Sequence, residues 1–102
     1  MVKTLFFVPL VDNEGTPFLP ADWSALEHRL WLLAEGFSRR DGVQGAWKDN
    51  DGSVHTGENR EFTIALTSWT QLAEWLETVQ WAKAHFRQLA IYLEVNGSPE
   101  IL

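Results

Sequence analysis

The chain begins with an apolar run, VKTLFFVPLV over residues 2–11, in which both alternating registers are hydrophobic. Leu5 and Phe7 point to one side of an extended strand and Phe6 and Val8 to the other. That is the pattern of a central strand covered on both faces. Pro9 has no N–H, so pairing should weaken near it. DNEGTPFLP follows and reads as a loop rich in turn formers. From residue 20 to residue 36 the period changes. Trp23, Leu26, Leu30, Leu33 and then Phe37 recur on one helical stripe. Pro20 suits a first helical turn, Asp22 complements the positive N-terminal end, and Gly36 is a stop signal. Trp31 and Leu32 fall off the stripe and are expected to be partly exposed.

Three shorter segments come next. VQGAWK at 43–48 and SVHT at 53–56 flank a cluster of turn residues, and EFTIALT at 61–67 alternates strongly, with Phe62, Ile64 and Leu66 on one face. A second helix is expected over 68–86. Ser68 followed by Gln71 has the spacing of a capping box, and Leu72, Trp75, Leu76, Val79, Ala82 and Phe86 form its apolar face. QLAIYLEV at 88–95 reads as a last strand, with Leu89, Ile91, Leu93 and Val95 facing one way and Ala90, Tyr92 and Glu94 the other. The tail NGSPEIL, from about residue 97, is expected to be loosely attached.

The order is β-α-β-β-α-β. It predicts a single α+β domain over residues 1–102 with a ferredoxin-like arrangement: a four-stranded antiparallel sheet carrying two helices on one face. Such a sheet leaves its other face open. Its members should be one register of the first strand with Gly45 or Ala46, Thr63, Ala65, Ala90 and Tyr92. Small residues beside aromatics predict a face that packs against a second sheet or receives something flat.

Composition narrows the choice. The 102 residues are 45% hydrophobic and 22% charged, which suits one globular core. Six tryptophans are more than so small a core hides easily, so one or two should lie at a surface or pocket rim. The net charge is −6 and the basic residues are scattered, so no stripe exists to neutralise phosphates and nucleic-acid binding is not expected. Cysteine is absent, which removes disulfides, thiolate metal sites and thiol nucleophiles. The first apolar run meets Asp12-Asn13-Glu14-Gly15 in place of a small-residue cleavage site, and no stretch nears the roughly 20 apolar residues of a membrane span. These features predict a soluble cytoplasmic protein.

WKDNDGSVHTGE, residues 47–58, is the segment most suggestive of chemistry. Aligned on Gly52, it sets Asp49, Asp51, Val54 and Glu58 at the third, fifth, eighth and twelfth positions of a calcium loop. The first position is Trp47, which offers no side-chain oxygen, and the flanks are strand-like where helices are needed. Asn50-Asp51-Gly52 is instead a hairpin signal. The three histidines, His28, His55 and His85, are far apart, and no metal or cofactor is expected. Neither a GxSxG elbow nor a phosphate-binding glycine motif occurs. Glu58 and Arg60 share one side of the third strand. A solvated ion pair explains them; a carboxylate and guanidinium at the mouth of a cleft walled by Trp47 and Tyr92 is the functional alternative, with His55 nearby.

Gly36-Phe37-Ser38, Gly42, Gly45, Trp47, Gly52, Glu58 and the late Gln88-x-Ala90-Ile91-Tyr92 together resemble a group of short bacterial proteins to which no activity is assigned. The resemblance spans most of the chain. It implies a ferredoxin-like fold and directs attention to Trp47, Glu58, Gln88 and Tyr92 as residues that converge. The function expected from the sequence is a homodimeric interaction or small-ligand-binding module that uses the open sheet face, with Trp47, Tyr92 and Gln88 as ligand contacts. Two alternatives stand beside it. One is a small enzyme with Glu58 as acid or base and Arg60 as anion anchor. The other is an acidic inhibitor or accessory protein that docks on a larger partner.

Overall fold

A computed structural model describes residues 1–48 and 50–102. Asp49, which the calcium-loop alignment used, lies outside the described residues. The elements are β1 (Val2–Pro9), α1 (Pro20–Leu33), β2 (Ser38–Lys48), β3 (Val54–Leu66), α2 (Leu72–His85), β4 (Tyr92–Val95) and β5 (Ser98–Ile101), with a single 3-10 turn at Trp69–Gln71 leading into α2. The strands form one sheet in the order β2-β3-β1-β4-β5, and every neighbouring pair is antiparallel. The expectation of four strands is therefore corrected to five.

The fifth strand is the tail expected to hang free. Asn96 and Gly97 both take positive φ, +50° and +81°. Adjacent positive values are what a two-residue hairpin turn needs to match strand twist, and Asn-Gly supplies them at least strain. Asn96 is also locked to β1: its N–H donates to the Lys3 carbonyl at 2.7 Å, and its Oδ1 accepts from the Lys3 N–H at 2.8 Å. The chain is thus turned back, and β5 pairs with β4 from Val95↔Ser98 to Tyr92↔Ile101.

Both helices cover one face. Phe6 stacks on Phe62 at 5.3 Å, Trp75 of α2 meets the edge of Phe6, and Trp23 of α1 stacks on Phe62. The stripes read from the sequence are the buried ones: Trp23, Leu26, Leu30 and Leu33 in α1, Trp75, Val79 and Ala82 in α2 with Phe86 just beyond it, and Phe62, Ile64 and Leu66 in β3. Thr4 is buried among them, and its hydroxyl donates to the Ile64 carbonyl at 2.8 Å, so it leaves no unmet polar group. Trp31 and Leu32 are exposed.

Several local differences have physical causes. Strand β2 begins earlier than expected and β3 is continuous, because they pair along almost their whole length, from Ser38↔Thr63 to Lys48↔Val54. A bulge interrupts that ladder between Arg40 and Val43, where Gly42 has φ +77°. Ser68 makes no capping bond to the helix. Gln71 Oε1 accepts from Thr67 N–H and Oγ1 instead. Strand β4 starts only at Tyr92, so Gln88 and Ala90 are not in it, and Leu89 is 92% exposed. Among the described residues no helix is long and apolar enough to cross a membrane.

Candidate ligand-binding face of the sheet

Alternation along β1 divides its side chains cleanly. Val2, Thr4, Phe6 and Val8 are buried beneath the helices, while Leu5, Phe7 and Pro9 are half-buried on the opposite, uncovered face. The expectation that β1 is covered on both faces holds for the helix side alone. Register then fixes the neighbours of Phe7. Glu61 lies directly across on β3 and Arg40 beyond it on β2. On the other flank, Leu5 stands opposite Glu94 of β4, and the Tyr92 ring lies 5.1 Å from that of Phe7 at 30°.

The result is an apolar strip, Leu5, Phe7 and Tyr92, with a carboxylate on each side. Glu61 is bound by Arg40 at 2.9 Å, and the arginine itself is largely exposed. Glu94 Oε2 accepts from the Tyr92 hydroxyl at 2.9 Å. That hydrogen bond, assisted by burial and by the Glu94 charge, pushes the Tyr92 phenol above its ordinary value of 10.0. Among the described residues no cation lies within ion-pair distance of Glu94. An aromatic platform beside a carboxylate suits a flat molecule with a positive charge, since both the ring face and the carboxylate attract it.

Beyond the end of β1, strands β2 and β3 continue as a two-stranded ribbon. The last contact with β1's side is the Leu10 N–H donating to the Glu58 carbonyl at 3.1 Å. Farther out, Trp47 and His55 stack across the ribbon at 5.3 Å and 17°, with Trp47 57% exposed. The turn is drawn in by Asp51, whose Oδ1 accepts from the Ser53 N–H at 2.8 Å. This backbone bond holds the Asp51 carboxyl below its ordinary value.

The residues singled out in the sequence are dispersed by this geometry. Glu58 and Arg60 face the helix side. Glu58 accepts from Gln44 Nε2 at 2.9 Å. Arg60 lies 4.3 Å above the Trp23 ring and holds Asp41 with two bonds, at 2.6 and 3.0 Å. Trp47 and His55 occupy the far ribbon on the opposite side, Tyr92 lies across β1 from β3, and Gln88 sits in the loop after α2 with its Nε2 donating to the Phe86 carbonyl at 2.8 Å. Trp47, Glu58, Arg60 and Tyr92 therefore do not line one cleft. Phe7 and Glu94, which period two already sets on the open face with Tyr92, are its neighbours there, and Glu61 lies on the far side of Phe7. The odd-numbered register of β1 was the available signal, because Phe7 must share a face with whatever pairs beside it. A concavity of about 340 Å³ lies elsewhere, lined by Asp12, Asn13, Glu14, Phe86 and Arg87. There Asp12 is already committed to the Glu14 and Thr16 N–H groups.

No protein-family model and no curated protein matches the chain. Solved structures do. A phage SAM lyase in complex with S-methyl-5′-thioadenosine is similar with a TM-score of 0.72 at 14% identity, over 99% of this chain and 86% of that one. The same kind of protein in its apo state gives 0.66 at 15% identity with the same coverage. CutA from Synechococcus elongatus gives 0.52 at 16% identity, over 99% of this chain and 72% of that one. At such identities the likeness is one of fold: an α+β architecture with an antiparallel sheet.

Proposed function

We propose that this protein is a small-ligand-binding module whose uncovered sheet face receives a flat organic molecule with a positive charge. The observation that carries the reading is the Phe7–Tyr92 pair at the centre of that face, with Glu94 tethered to Tyr92 and unpaired with any described cation. Adenosine bearing a 5′ sulfur substituent is the first class to test. It has the flat base and, as a sulfonium, the positive charge, and a protein of similar fold has been solved with S-methyl-5′-thioadenosine. We take β2-β3-β1-β4 as a ferredoxin-like unit to which β5 is added. The enzyme alternative draws less support, because Arg60 is occupied by Asp41 and Trp23 and so is not offered to an anionic substrate.

Isothermal titration calorimetry with S-adenosylmethionine and with S-methyl-5′-thioadenosine tests the proposal. Binding of the sulfonium should exceed that of the neutral thioether. Tyr92→Ala should weaken it roughly tenfold, the worth of one ring-face contact. Absence of heat with both ligands, or an unchanged affinity in Tyr92→Ala, would remove this function.

A further inference from the structure

The open sheet has two edges, and they are protected unequally. Strand β5 has only four residues; Pro99 has no N–H, and Glu100 carries a charge. Both features discourage strand addition. The first half of β2 is guarded as well. Arg39 pairs with Glu27 at 2.9 Å, Arg40 pairs with Glu61, and the bulge at Asp41-Gly42 breaks the flat ladder. The second half is different. Val43-Gln44-Gly45-Ala46-Trp47 contains no charge, proline or bulge. It pairs with β3 on one side, and no other described strand pairs with it. A two-stranded ribbon of this kind is marginal when it stands alone.

We infer that this segment is a self-association edge, on which β2 of a second copy adds in antiparallel register about a twofold axis centred on Gly45. The register follows from the sequence. Centring on Gly45 places Val43 opposite the second copy's Trp47, twice over, and Gln44 opposite Ala46. An aromatic–β-branched pair is among the favourable cross-strand contacts. Lys48 then meets Gly42, so no charge within residues 42–48 opposes its like, although one pair farther out the sequence register sets Asp41 against the second copy's Asp49. Centring one residue earlier, on Gln44, would set Lys48 against Arg40 and Trp47 against Asp41. An axis normal to the sheet keeps Trp47 and Val43 of both copies on the same face, because paired residues share a face. The two sheets become one. Helices of both copies lie on one side, and both Phe7–Tyr92 faces lie on the other. A contact of five residues is small beside the roughly 1,200 Å² of a stable interface, so the dimer is reversible and concentration-dependent.

The absence of cysteine makes the register directly testable. Gln44→Cys and Ala46→Cys are prepared singly, checked for fold by circular dichroism, and oxidised mildly alone and as an equal mixture. The mixture should give several-fold more disulfide-linked dimer on a non-reducing gel than either variant alone, since each thiol faces the other variant and not its own copy. Sedimentation of the wild type should show a monomer–dimer equilibrium. The double variant Gln44→Lys/Ala46→Lys, which sets lysine against lysine, should shift it to monomer. Equal cross-linking in all three samples would overturn the inference. So would a strict monomer at every concentration, or a trimer, which would require pairing of unlike edges. Tyr92→Ala should leave the dimer intact, so loss of ligand binding and loss of self-association are separately readable.

Discussion

Replacing Arg60 with methionine separates a structural arginine from a ligand-binding one. Its side chain is 16% exposed, and its guanidinium lies on the Trp23 ring, which is itself nearly buried. A partly desolvated contact of this kind contributes about 1 kcal/mol. The two bonds to Asp41 involve a carboxylate that is 53% exposed, so solvent screening reduces that pair to about 0.5–1 kcal/mol. Methionine keeps the aliphatic stem against Trp23 and loses both terms. Arg60→Met should therefore cost about 1–2 kcal/mol, equivalent to a fall in Tm of roughly 5–15 °C for a domain of this size. Thermal and urea unfolding followed by circular dichroism give the measurement, and Asp41→Asn completes a double-mutant cycle. The pH dependence has a definite sign. The hydrogen bond from Arg60 is the largest cause holding the Asp41 carboxyl below its ordinary 3.8. Its contribution is thus fully present above 3.8 and is lost as pH falls through the lowered folded value, where wild type and Asp41→Asn should converge. An Arg60→Met protein as stable as wild type would refute the packing argument. One that kept its stability but lost affinity for the sulfonium would return Arg60 to the binding site.

Tyr92 is the single tyrosine in the chain, so tyrosinate absorbance reports it alone. Its midpoint should lie above 10.0, and Glu94→Gln should bring it down by weakening the hydrogen bond that holds the phenol proton and by removing the Glu94 charge; an unchanged midpoint would mean that the hydrogen bond does not form in solution. In stability, the Tyr92–Glu94 pair is intact at neutral pH and is lost as pH rises through the raised phenol value. Trp75 is fully buried, and its Nε1 has no hydrogen-bond partner. Trp75→Ala should cost about 3–5 kcal/mol through the cavity it leaves, whereas Trp75→Phe should cost clearly less because no indole bond is lost; equal losses in chemical denaturation would contradict that. Gly42→Ala meets no neighbouring atom, yet should cost about 1–2 kcal/mol, because at φ +77° the penalty is in the backbone and not in the space.

Much of the fold was legible because burial follows period. The stripe Trp23, Leu26, Leu30, Leu33 and the alternation Phe62, Ile64, Leu66 are one-dimensional signals, and they mark α1 and β3 directly. The fifth strand was also written in the sequence. Asn96-Gly97 is a hairpin signal with a mechanism, and it followed a strand with a clear apolar face. It was outweighed by the polarity of SPEI, yet an edge strand exposed at every position needs no apolar face at all. Its pairing rests on the turn, on the two Asn96 bonds to Lys3 and, at the far end, on the reciprocal backbone bonds between Ile91 and Leu102.

The site was less legible, for a reason that parity alone cannot repair. Period two places Glu58 with Arg60, but it fixes neither the register of Trp47 across the turn nor which side of the sheet the helices take. Nor does it say that β1 lies between β3 and β4, which separates Tyr92 from the ribbon that carries Trp47. The bulge at Asp41-Gly42 compounds this. By adding a residue to β2 it sets Asp41 and Gly42 together against Arg60 and shifts Val43, Gly45 and Trp47 to the uncovered face, while Asp41, on the helix side by simple alternation from Arg40, occupies the Arg60 guanidinium that sequence spacing places at a cleft mouth. What remains on the uncovered face is the odd register of β1, Leu5 and Phe7, beside Tyr92 and Glu94. Leu5, Phe7 and Tyr92 are apolar or aromatic where an exposed sheet would ordinarily be polar. That departure from the rule, and not any catalytic spacing, is what supports the proposed binding face.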